Sequence, residues 1–201
     1  GFIAGLSGPK SQLGVSARNA VILAVEQANS RPYFKKRNIQ LIIKDDQNDP
    51  IVAAKSFKQI TDQGASIVIG PMISGMYPAV KAMQHRDILI LSPTISTIRL
   101  SNQDDNFLRL ISPLSDQIPP MVSHIESSGI QSVTCIYDEA NYQYAADLIY
   151  GLVDSLAGSD ITVKKVLTLG SDMHESLASE VIESGAEAVV MAVSGYDGGL
   201  I

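Results

Sequence analysis

Three features of the 201-residue sequence predict an α/β fold built from two doubly wound lobes. Short apolar segments alternate with amphipathic helical stretches along the whole chain, the pattern of strand–helix–strand units. Several of those segments, Ile67-Val68-Ile69 among them, are apolar at every position, as expected of parallel strands covered on both faces. The charge also divides. Residues 1–112 carry 13 Lys/Arg and 8 Asp/Glu, a net +5, whereas residues 113–201 carry 2 and 13, a net −11.

In the first half, Phe2–Ala4 is a strand that leads into the loop Gly5–Pro9. A helix follows in which Ala17, Ala20, Val21, Ala24, Val25 and Ala28 recur at three-and-four spacing and line one face. Ile39–Lys44 is the next strand. Asp49 then reads as a helix N-cap with Pro50 at the first helical position, Ala53, Phe57 and Ile60 as the buried face, and Gly64 as a left-handed end. After Ile67–Ile69, a helix is expected from Ser74 to His85 and a buried strand at Ile88–Leu91.

The second half repeats the scheme. Helices are expected over 116–127 and through Ala145–Leu156, with strands at Ser132–Tyr137, Ile161–Leu167 and Ala188–Val193. Asp172 with Glu175 resembles a capping box for a further helix. The lobe boundary falls near Leu110–Gln117, which gives lobes 1–112 and 113–201. With three strands before Ile201, the second lobe is expected to be incomplete and the chain to continue. The opening GFIAGLSGP has neither Met nor a basic leader and reads as processed.

Most chemistries lack their residues. No G-x-G-x-x-G joins a strand to a helix and no Walker A loop occurs, so no nucleotide cofactor is expected. Asp45-Asp46 ends a strand, but the loop Gly70-Pro71-Met72 supplies no third carboxylate for a receiver-type Mg²⁺ site. Asp45, Asp46 and Asp49 therefore read as loop solvation plus the cap. There is no G-x-S-x-G elbow, and His85, His124 and His174 have no triad or metal spacing and read as solvent-facing. Cys135, mid-strand, reads as a small buried hydrophobe. Lys35-Lys36-Arg37 is too brief a cluster for nucleic-acid binding. No apolar run approaches the roughly 18 residues of a membrane helix.

What remains is a set of small hydroxylated residues at predicted strand ends. Ser74 and Gly75 stand where the third strand feeds its helix, and Ser92-Pro93-Thr94-Ile95-Ser96-Thr97 follows the fourth. Hydroxyls, free N–H groups and carbonyls there can take the polar end of a carboxylate or zwitterion. The alternative is that Ser74 only caps its helix and Thr94–Thr97 only form a turn.

The stretch IVIGPMISGMYPAV…ILILSPTIST resembles the one that defines type I periplasmic binding proteins, especially those for leucine, isoleucine and valine. GLSGPKSQLG, IIKDDQNDPIVAA, VTCIYDEANYQYAADL and AVVMAVSGYDGG are similar to successive parts of that family, in order. The resemblance implies two Rossmann-like lobes joined by a hinge that close on a small ligand. It implies that Ser74, Gly75, the Thr94 backbone and Ser96 hold the ligand's polar groups, and that Tyr142, Ser194 and Tyr196 contribute from the second lobe. Leu13 falls where the family often has an aromatic lid, and the acidic residue that meets an α-amino group falls beyond Ile201. It further implies an exported, non-catalytic solute-binding subunit, without cofactor, that serves the membrane permease of an ABC transporter. A second reading uses the same fold as a ligand-sensing domain of a receptor or regulator; a doubly wound enzyme is the third.

Overall fold

A computed structural model describes residues 1–8, 11–34, 37–84, 87–170 and 173–201. The chain divides into two compact units, Gly1–Ile95 with Asn102–Ile111, and Ser96–Ser101 with Ser112–Ile201. Both are parallel sheets with helical crossovers, the α/β class expected from the alternating pattern.

The first unit holds five strands: β1 (Phe2–Ala4), β2 (Ile43–Asp45), β3 (Ile67–Ile69), β4 (Leu89–Ser92) and β5 (Phe107–Arg109). Their order is β2-β1-β3-β4-β5, so the chain winds outward in both directions from β1. Phe2, Ile3 and Ala4 are fully buried because β1 is flanked on both edges and covered on both faces. Helices α1 (Gln12–Ser30), α2 (Pro50–Thr61) and α3 (Tyr77–Met83) make the crossovers. At the start of α2 the Asp49 carboxylate accepts from the Ile51 and Val52 amides at 2.7 and 3.0 Å, with Pro50 in the first turn. Such a cap contributes about 1 kcal/mol. Ala53, Phe57 and Ile60 are buried as the periodicity requires.

In the second unit, β6 (Ser132–Asp138) lies between β7 (Thr162–Leu169) and β8 (Ala188–Ala192). Every residue of β6 is buried. One face packs on α4 (Ile118–Ser127) and α5 (Tyr142–Leu156) through Ile125, Ala145, Leu148, Ile149 and Leu152. The other packs on α6 (His174–Ser184), where Leu177 meets Ile136 and Leu169. Each such aliphatic side chain contributes about 1.5–3 kcal/mol by leaving water.

The structure corrects several expectations. On α1, Gly14 is buried and Ala17 and Val21 pack against Phe2, Ala4 and Met72, but Ala20 and Ala24 are exposed. The contact line follows Gly14, Ala17 and Val21, and residues one position earlier sit about 100° round the helix. The β2 ladder begins at Ile43 rather than Ile39, because only Ile43–Asp45 pair with β1. Ser74–Met76 form a 3₁₀ turn before the seven-residue α3, instead of one helix through to His85. Ile67 is 51% exposed and β8 alternates, with Val189 and Met191 outward, so neither strand is covered on both faces. β5 and the short α7 (Gly195–Gly198) are both unanticipated, because elements of three and four residues are too short for a periodic pattern to show. Pro9, Lys35, Lys36, His85 and Asp172 lie outside the described residues; the residue at the α6 N-cap position is Met173.

Gly70, just after β3, sets the tightest approach. Its φ is +105°, and a β-carbon there would lie 1.9 Å from the Ile3 carbonyl oxygen. We expect Gly70→Ala to cost more than about 2 kcal/mol in chemical denaturation, since both strain and collision oppose it. A loss below about 0.5 kcal/mol would show that the loop can shift away.

Candidate functional site

The loops that follow the central strands of the first unit are tied to each other. The Gly70 amide donates to the Leu91 carbonyl at 2.9 Å. The buried Ser92 hydroxyl donates to the Pro71 carbonyl at 2.8 Å and accepts from the Ile95 amide at 3.2 Å. The Thr94 hydroxyl donates to the Met72 carbonyl. These bonds set the segment Gly70–Gly75 beside Ser92–Ile95 at the carboxyl edge of the sheet, where ligands of open α/β sheets bind.

Ser74 lies at the start of the 3₁₀ turn and is 2% exposed; Gly75 is half-buried. The residue at the cap position is Ile73, so Ser74 is not the cap of that turn. Thr94 is half-buried, and because its hydroxyl proton goes to Met72, it offers a ligand its backbone rather than a free O–H. Ser96 is buried and belongs with the second unit, where its carbonyl accepts from the Leu114 amide at 2.8 Å. Leu13, in the first turn of α1, is 44% exposed.

In the second unit the predicted residues again follow strand ends. Tyr142 opens α5 just past β6, half-exposed, and its ring meets Tyr137 edge-on at 6.0 Å between centroids. Tyr150 also leans on Tyr137, at 5.8 Å, so three tyrosines gather at this end of the strand. Ser194 is the N-cap of α7, and Tyr196 is the exposed residue of that turn. The Ser194 hydroxyl donates to the Asp197 carboxylate at 2.7 Å and accepts from the Asp197 amide at 3.1 Å. That serine is thus occupied as a cap.

Two titratable residues, Asp46 and His174, differ from the sequence reading. Asp46 is not solvated: it is 1% exposed, Oδ1 accepts from the Asn48 amide at 2.9 Å, and Oδ2 has no hydrogen-bond partner. Burial, with the Asp45 charge adding, pushes its pKa up to about 6 against the pull of the Asn48 amide. Asp45 is pushed up by burial too, but donors from Ser7, Leu6 and Gln47 outweigh that and hold it below the usual range. His174 is not solvent-facing either; Nε2 lies 3.1 Å from Asp197 Oδ1, while His124 is exposed as expected. The residues 194–197 read S-x-x-D, a capping signal that could have revealed the Ser194–Asp197 pair. Nothing local marks His174 as its partner. Burial raises the Cys135 thiol to about 11, which leaves it an inert core residue. Among the described residues, no group of three or more His, Cys, Asp or Glu side chains could hold a metal ion, and no helix is long and apolar enough to cross a membrane.

Comparison with known proteins agrees with this architecture. The sequence profile of the periplasmic binding protein family matches residues 1–200. The chain belongs to that family. The "Chemotactic signal transduction system substrate-binding protein BasB" of Halobacterium salinarum is 25% identical over 214 residues, spanning 100% of this chain and 51% of that protein. The "Leu/Ile/Val-binding protein" of Escherichia coli K12 is 25% identical over 164 residues, 80% of this chain and 44% of that one. A solute-binding protein of an ABC transporter from Rhodopseudomonas palustris BisB5, solved with 3,4-dihydroxybenzoic acid, superposes with a TM-score of 0.84 at 15% identity, covering 98% of this chain and 55% of its own. The fold is that of the type I periplasmic binding protein lobes, and the chain spans about half the length of these relatives.

The buried orphan at Asp46 has a pH signature. Its folded pKa lies above the unfolded value, so it favours the folded state at low pH and that contribution is lost as pH rises from about 4 to 6. We expect Asp46→Asn to flatten this part of the stability–pH profile in urea titrations at pH 4, 5, 6 and 7. Parallel profiles for the two proteins would count against the assignment.

Proposed function

We propose that this chain is part of an exported solute-binding protein of an ABC transporter that takes a small amino acid or related carboxylate. Ser74, Gly75 and the Thr94 backbone, with Ser96, hold the polar end of the ligand; Tyr142 and Tyr196 contact the rest, with Leu13 in place of an aromatic lid. The observation that carries the reading is the pair of strand-end loops stapled through Ser92 and Thr94, with the buried Ser74 on one of them. Buried, neutral donors of this kind suit a carboxylate, since they bind it without bringing a second charge out of water. Family membership supports a binding role without catalysis, and the whole protein would pass its cargo to membrane permease subunits outside the cell or in the periplasm. The relatives and neighbours named above differ in cargo, branched-chain amino acids in one and an aromatic acid in another, which keeps both in the test panel.

A second reading rests on the relative matched across the whole chain, whose name places it in chemotactic signalling. In that reading the same site informs a receptor rather than supplying a permease, and the ligand chemistry is unchanged.

Calorimetry of the chain with L-leucine, L-valine, L-alanine and benzoate tests the reading. We expect one ligand to release or take up heat with 1:1 stoichiometry, and the double variant Ser74→Ala with Ser96→Ala to weaken it at least about 100-fold, the equivalent of two lost hydrogen bonds to a charge. Unchanged binding in a folded double variant would remove these serines from the site.

A further inference from the structure

Asp197 carries more than a cap needs. Its carboxylate is 8% exposed for the residue as a whole and its two oxygens are divided: Oδ2 receives the Ser194 hydroxyl and Oδ1 faces His174 Nε2. Its amide donates to Ser194 Oγ, and its carbonyl accepts from the Leu200 and Ile201 amides at 3.1 and 3.2 Å. A carboxylate accepts only, so Nε2 carries the proton in that contact. His174 is the first residue of α6, and α6 is fixed to the sheet through Leu177 against Ile136 and Leu169. Asp197 therefore connects the turn after β8 to the first residue of α6.

The turn closes on its own backbone hydrogen bonds, and its flanks Val193 and Ile201 pack on the Ile136–Leu169–Leu177 cluster. Tyr196 itself is 67% exposed, so packing gives its ring little positional hold. We propose that Asp197 and His174 are positioning residues that hold Ser194–Tyr196 at the carboxyl edge of β8. The proposal rests on the functional reading above, in which Tyr196 meets the ligand, and it adds what keeps that side chain in place. Removing His174 takes one hydrogen-bonding partner from a buried carboxylate, which loosens the link between the turn and α6 without touching any atom proposed to meet the ligand.

Amide hydrogen exchange by NMR tests this in the chain with His174→Ala, His174→Gln and Asp197→Ala. The Gly198 and Gly199 amides donate to the Ser194 and Gly195 carbonyls and report the turn; the amides of α5 report folding. We expect exchange at Gly198 and Gly199 to quicken about tenfold in His174→Ala, with α5 unchanged, and to recover in His174→Gln, whose side-chain amide also donates. Asp197→Ala should act in the same direction; if it fails to fold, the two His174 variants still decide. Equal exchange in the parent and His174→Ala, or no recovery in His174→Gln, overturns the proposal. Calorimetry with L-leucine and benzoate runs beside it. If either binds the parent, affinity should fall about tenfold in His174→Ala and return in His174→Gln, and an unchanged affinity overturns the link to the site. If neither probe binds the parent, the functional reading loses its support while the exchange data still judge the positioning role.

Discussion

A β-carbon at Gly70 would lie 1.9 Å from the Ile3 carbonyl, and the carboxyl edge of the first sheet is organised round that approach. Because glycine allows the backbone to lie against β1, the segment after β3 turns across the sheet instead of continuing outward. It then meets the segment after β4, where Ser92 and Thr94 spend their hydroxyls on the Pro71 and Met72 carbonyls. Ser74 and the Thr94 backbone owe their places to those bonds. A longer side chain at Gly70 would disturb a candidate binding residue four positions away without touching it.

The two units solve the same problem differently. In the first, hydroxyls tie loop to loop. In the second, a buried carboxylate ties the turn after β8 to the start of α6, and a cluster of three tyrosines stands at the end of β6. Buried acids are costly unless paired, and two of those in the described residues, Asp197 and Asp46, have distinct consequences. Asp197 is shared between Ser194 and His174, and it holds structure. Asp46 keeps one oxygen unpartnered and is instead protonated more readily than a solvated carboxyl.

Much of the molecule was legible from the order of residues. The alternation of apolar and helical segments, the Asp49-Pro50 helix start and the inert Cys135 follow from local rules that need no partner elsewhere in the chain. Family resemblance was carried by the order of several weak segments, and the profile match over residues 1–200 agrees with it. The features missed share a cause. β5 is three residues long with Leu108 outward, so its pattern is too short to stand out. The exposure of Ala20 and Ala24 depends on how α1 is rotated over β1, which spacing alone cannot state.

By itself the sequence determined the fold class, the buried faces of α2 and α5 and the hydroxyl-rich character of the strand-end loops. Those properties arise from side-chain polarity and short-range backbone preference, and they are complete within a window of a few residues. Only the tertiary structure decided which hydroxyls are occupied, that Asp46 is buried, and that His174 reaches Asp197 across 23 positions. Burial and partner choice depend on what the rest of the chain brings to the same point, and the parallel sheets bring together residues far apart in sequence.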